Sequence, residues 1–243
     1  MARHPLLRGE PHFSWRSPDV SRVENLSDIV FALVLTLTAA QGVPDSFADL
    51  SGLWRDAIAV TACFALILTI WHTHHVFFRR YGLQDGWTVL LNAVLLLLVL
   101  IFVYPLRFMA DFVITFFTGG FETESEIVAM LQIDQVPTLY LVFGLFYIGV
   151  QIVFALLYAH ALNRADEIGL DPTERAWTRY EVEVAIGIMA ITVVVVACGY
   201  LLPEPFGPMA GFLFALIGAV AYGCGVLAQR RADAAGGGAT ASP

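Results

Sequence analysis

Apolar runs bounded by charged residues, glycine and proline divide the chain into six blocks, at about Leu26–Gln41, Trp54–Phe78, Trp87–Phe117, Val136–Leu162, Val182–Leu202 and Phe206–Ala228. A helix needs about 20 apolar residues to cross a bilayer, so the pattern predicts an all-α membrane protein with six transmembrane helices. The first block is short. The third is long, and Pro105 is expected to kink or end its helix. The first block does not read as a signal peptide, because it starts only at Leu26, holds Asp28 and lacks a small-residue cleavage site. No internal repeat is evident. The expected organisation is an N-terminal cytoplasmic segment (1–21), a six-helix membrane domain (22–229) and a small, polar tail (230–243) without fixed structure.

Composition agrees with the pattern and narrows the function. Of 243 residues, 58% are hydrophobic and 14% charged, with a mean hydropathy of +0.72. Soluble domains carry about 25% charged residues, so a soluble globular enzyme is excluded. The net charge of −8 argues against nucleic acid as a partner. Cys63, Cys198 and Cys224 lie within apolar runs, without metal-knuckle or disulfide spacing, and read as small core residues.

All 13 basic residues are arginine, and they fix a direction. With the N-terminus in the cytoplasm, the inner segments collect Arg3, Arg8, Arg16, Arg22, Arg79, Arg80, Arg164, Arg175, Arg179, Arg230 and Arg231, leaving Arg55 and Arg107 outside. This positive-inside bias puts both termini in the cytoplasm. The acidic segment Glu122, Glu124, Glu126 and Asp134 then faces outward.

Three blocks carry polar groups at one depth near the cytoplasmic face: Arg22, Ser27 and Asp28 in the first, Trp71, His72 and His75 in the second, Asn92 in the third. Ionisable groups inside a span are costly and face the bundle interior or water. His72 and His75 share a helix face at i, i+3, with His74 expected to point elsewhere. Three readings stay open: a polar knot that pins helix packing, a metal or haem site, or a route for protons or ions. The metal reading lacks a second histidine box; beyond the terminal segment only His160 remains. The first block also has a second face, on which Leu33, Leu37 and Ala40 form an apolar stripe with Thr36 at its edge and Asp28 about 140° away. Repeated around a symmetric oligomer, such a stripe builds stacked apolar rings, one known form of pore constriction.

These residues resemble the prokaryotic branch of the transmembrane protein 175 family, the lysosomal potassium channels. The family pattern Arg-x-x-x-Phe-Ser-Asp is similar to Arg22 with Leu26-Ser27-Asp28, followed by FALVLTL. Trp71-His72-Thr73-His74-His75-Val76-Phe77 resembles its second-helix ending, and the run from Asn92 to Pro105 its third helix. The resemblance implies a homotetramer of six-helix subunits in the lipid bilayer, with first helices lining a pore for K+ and no other cofactor. It further implies a constriction at Leu33 and Leu37, a hydroxyl linked to potassium preference at Thr36, and an outer lining position at Ala40. Leu26 departs from the signature Phe and Ile29 from the Gly that usually follows Asp; Ala40 is smaller than expected, which predicts a wider outer pore and moderate selectivity.

Other classes fit less well. There is no nucleophile elbow, phosphate loop or second metal box, which leaves a membrane enzyme or accessory subunit using the His cluster as the alternative. The fourth block has no arginine repeat, the Pro203-Glu204-Pro205 connection is too short for a re-entrant filter, and no TVGYG-like strand occurs. The broken helices and inverted repeats of transporters are not evident.

Overall fold

The first helix, α1 (Arg22–Ala39), is opened by a reciprocal cap. The Ser21 hydroxyl accepts from the Glu24 N–H, and the Glu24 carboxylate accepts from the Ser21 N–H at 2.7 Å. Further along are α2 (Phe47–Tyr81), α3 (Gly86–Thr118), a 3₁₀ turn (Ile133–Gln135) and α4 (Val136–Asn163). The chain continues through α5 (Pro172–Leu201), a 3₁₀ segment (Gly207–Ala215) and α6 (Leu216–Gly237). The computed structural model describes residues 13–17, 19–40, 47–118, 132–203 and 206–237, and no strand occurs among them. Gln41 and the acidic residues Glu122, Glu124 and Glu126 lie outside the described residues.

Five helical stretches are long and apolar enough to span a membrane: Asp56–Tyr81, Gly86–Phe117, Val136–Asn163, Pro172–Leu201 and Met209–Ala234. The sixth helix, α1, carries Arg22, Glu24 and Asp28 in its first two turns, and its apolar part begins at Ile29. The protein is therefore an all-α, multi-pass membrane protein. Several boundaries differ from the sequence reading: α1 starts at Arg22 rather than Leu26, and α2 at Phe47 rather than Trp54. Pro105 lies inside α3 without ending it. At 33 residues that helix is about 50 Å long, so it tilts or projects beyond an about 30 Å hydrocarbon layer. α5 starts ten residues before the expected Val182, because Asp171 and Glu174 form a second reciprocal cap ahead of Pro172, and the polar turns that follow remain helical. Finally, α6 runs on to Gly237, so Arg230–Gly237, expected as part of the unstructured tail, is helical.

α1 packs against α2 and α3; α3 joins α4, α4 joins α5, and α5 joins α6. The core passes through Phe31, Cys63, Ile67, Leu95, Val99, Phe102, Val150, Phe154 and Leu157, all buried. All three cysteines are free. The turn between α2 and α3 uses Gly82 at φ +62°, a conformation that disfavours side chains with a Cβ. At Gly211 a Cβ would lie 2.9 Å from the Tyr140 hydroxyl, so a larger residue there would push the end of the Tyr140 side chain aside.

Candidate functional site

α1 has two stripes, each repeating at steps of three and four residues. Glu24, Ser27, Phe31, Val34 and Thr38 are buried against α2 and α3. Leu26, Ile29, Leu33, Thr36 and Ala40 form the other stripe, and all are exposed. Leu33 is 52% exposed and Ile29 68%. Leu37 lies on the flank of this stripe, half-buried and packed on the subunit's own core. The expected grouping of Leu33 with Leu37 and Ala40 is thus shifted: the open stripe runs downward from Leu33 through Ile29 to Leu26.

Asn92 organises the buried stripe. Its Nδ2 donates to the Ser27 Oγ at 3.0 Å, and its Oδ1 lies 2.8 Å from the His74 Nε2. An amide oxygen only accepts, so His74 carries its proton on Nε2. The Ser27 hydroxyl lies 2.8 Å from the Val23 carbonyl, to which it donates. The ring of His74 is enclosed by Phe31 and Phe78, with centroids 5.6 and 4.7 Å away.

The histidine in this layer is therefore His74, not His72 or His75. His74 extends the stripe of Cys63, Ile67, Ile70, Phe77 and Tyr81, the buried side of α2. That stripe is present in the sequence and was the signal that would have selected it. His72 is exposed; His75 is half-buried and stacks on Trp71 at 5.5 Å. Asp28 does not reach Asn92 or a histidine. Its carboxylate accepts from the Trp71 Nε1 at 2.8 Å, at the exposed edge of the α1–α2 contact.

Arg22 is exposed and makes no hydrogen bond or ion pair among the described residues. The arginine beside α1 is Arg79, whose Nε lies 3.8 Å from Glu24 and whose Nη1 donates to the Ser17 carbonyl. His160 turns away from the layer and pairs with Asp85, Nε2 to Oδ2 2.8 Å. Asp85 also accepts from the Thr88 hydroxyl. Burial opposes ionisation of Asp85, but the hydrogen bonds from Thr88 and His160 outweigh it and hold the carboxyl below its usual range. Among the described residues, no three His, Cys, Asp or Glu side chains converge as a metal site.

The stretch that builds both faces of α1 is also the stretch with known relatives. Residues 22–105, from α1 to Pro105 of α3, match the family described as the endosomal/lysosomal potassium channel TMEM175. A protein of Marivirga tractuosa named a potassium channel is 38% identical over 168 residues, 68% of each chain. The chain belongs to the TMEM175 family. A crystal structure of a threonine-to-alanine variant of the potassium channel MtTMEM175, bound to a nanobody fusion, superposes with a TM-score of 0.78. The two are 30% identical, over 90% of this chain and 98% of that one. A homologue from Chamaesiphon minutus, 22% identical with a TM-score of 0.51, shares the TMEM175 fold.

Proposed function

We propose that the protein is the subunit of a potassium-permeable, moderately K+-selective channel, a homotetramer in which four α1 helices surround the conduction path. α1 then crosses the bacterial inner membrane as a sixth span, and the arginine distribution puts both termini in the cytoplasm. The observation that carries this reading is the open stripe of α1. The helix is held to its own subunit by the Ser27–Asn92–His74 node, yet presents Leu33 and Thr36 away from it. Conduction as the family's activity supports this reading over an enzyme using the His cluster, whose members are dispersed between Asn92, Trp71 and the surface.

Four Leu33 side chains form the constriction, with Leu37 on its flank. An apolar ring supplies no oxygen to replace the hydration shell of an ion, so passage requires the ring to widen or fill with water. Thr36 offers the nearest oxygen. Its hydroxyl lies 2.7 Å from the Leu33 carbonyl and 3.0 Å from the Ala32 carbonyl, so the proton is committed to the helix backbone. The oxygen lone pairs are left for a cation on the open side.

The test is the reversal potential under bi-ionic K+ and Na+. Leu33→Ala is expected to raise Na+ relative to K+, and Thr36→Val to lower K+ preference while assembly is unchanged. An unchanged ratio in both variants would remove α1 from the conduction path.

A further inference from the structure

Resting on an α1-lined pore, we infer that Ile29, one turn on the cytoplasmic side of Leu33, forms a second apolar ring in series with the Leu33 ring and controls the rate of ion passage. Helix phase alone does not single it out. Ile29 and Leu37 are each four residues from Leu33, about 6 Å along the axis and about 40° to either side. Burial separates them. Leu37 is half-buried against the core, whereas Ile29 is 68% exposed, the most exposed of the large apolar side chains on α1, and packs on neither apolar cluster. Leu26, 57% exposed, continues the same stripe below it. The Ile29 position is also well fixed, because Ser27 two residues earlier is bonded to Asn92 and Asp28 beside it to Trp71. These bonds hold α1 in rotation at the level of Ile29, so its side chain keeps the direction that the stripe defines.

Two stacked rings differ physically from one. At a single ring an ion keeps water on both sides, and only a thin apolar layer excludes it. A second ring about 6 Å away lengthens the apolar section, so the ion must lose water over a longer path and the section dries more readily. The inner approach to the pore is then the slow part of conduction, and Thr36 sits beyond both rings for an ion moving outward.

Single-channel currents in symmetric K+ test the assignment with Leu33→Ala and Ile29→Ala side by side, each checked for tetramer size by gel filtration. Ile29→Ala is expected to raise K+ conductance about twofold or more, and Ile29→Phe to reduce it. In a background with Cys63, Cys198 and Cys224 replaced by alanine, Ile29→Cys should lose most of its current to a cationic thiol reagent added from the cytoplasmic side. If Leu33→Ala alters the current but the Ile29 variants conduct as the parent and Ile29→Cys is unmodified, the second ring is wrong and the α1-lined pore stands. If Leu33→Ala is inert as well, both fall.

Discussion

The two ends of the bundle, one built around Arg16 and the other around Phe102 and Phe214, are held together by different forces. At the Arg16 end, directional bonds link every helix from α1 to α5. Arg16 donates to the carbonyls of Ser14, Arg80, Ile168 and Gly169 and to both oxygens of the buried Glu174. Arg80 pairs with Glu181, Tyr81 bonds Thr178, and His160 meets Asp85. At the opposite end, rings pack on rings: Phe102 on Phe143 and Tyr147, Phe143 and Tyr147 on Phe214. A cavity of about 190 Å³ remains there, lined by residues that include Phe112, Phe116 and Tyr140. Among the described residues there, Arg107 also pairs with Asp56 and Asp111. In lipid the hydrophobic effect gives helices no reason to prefer one another, so hydrogen bonds and close packing decide position. At the polar end, the bonds of Ser27 to Asn92 and of Asp28 to Trp71 fix the rotation of α1.

The contrast breaks most severely at Arg16. Arg16→Ala would leave the Glu174 carboxylate, 2% exposed, with only Ser14 and its own capping bonds. Removing one partner of a buried pair costs about 3–5 kcal/mol. Arg16 is 17% exposed, so the lower end of that range, about 3 kcal/mol, is expected in chemical unfolding of the detergent-solubilised protein. Arg16→Lys should fall between, since an ammonium cannot reach six acceptors in one plane. A loss below about 1 kcal/mol for Arg16→Ala would mean that the pair behaves as an exposed one.

A smaller loss belongs to the node on α1. Asn92→Ala strands the His74 Nε2 proton and removes a donor from Ser27, and a buried unpaired group costs about 1–3 kcal/mol. Thermal unfolding should show that loss. His74→Ala and Asn92→Ala combined should cost less than the sum of the two, because each already breaks the same bond. Additive losses would mean that the two residues do not act as one unit.

Much of this was legible in the chain itself. The helical class, the number of helices, and the depth at which Ser27, Asp28, Trp71 and Asn92 lie follow from apolar runs and charge placement. The choice among three adjacent histidines did not. The i, i+3 pair His72 and His75 is the plainer pattern, while the apolar stripe Cys63, Ile67, Ile70 that leads to His74 is diluted in a helix apolar on most sides. The same dilution hid the preference of α1 for Ile29 over Leu37, which phase leaves equal and only packing decides. Nothing in the sequence marked Arg16 as the hub joining α2 to α5, since its partner Glu174 is 158 residues away.

The mildest perturbation is acid. Asp85 joins α3 to α4 through Thr88 and His160, and its folded value lies below its unfolded one. The sign follows from linkage: the stabilisation is fully present above the unfolded value, about 3.9, and is lost as pH falls through the lower, folded value. Asp85→Asn cannot titrate, so the difference in melting temperature between the parent and Asp85→Asn isolates this group. That difference should shrink as the pH falls below about 4. The Asp85 side chain is 26% exposed, and solvent screening keeps the expected effect small. A difference that widens on acidification would reverse the sign and show that the hydrogen bonds from Thr88 and His160 favour the protonated carboxyl.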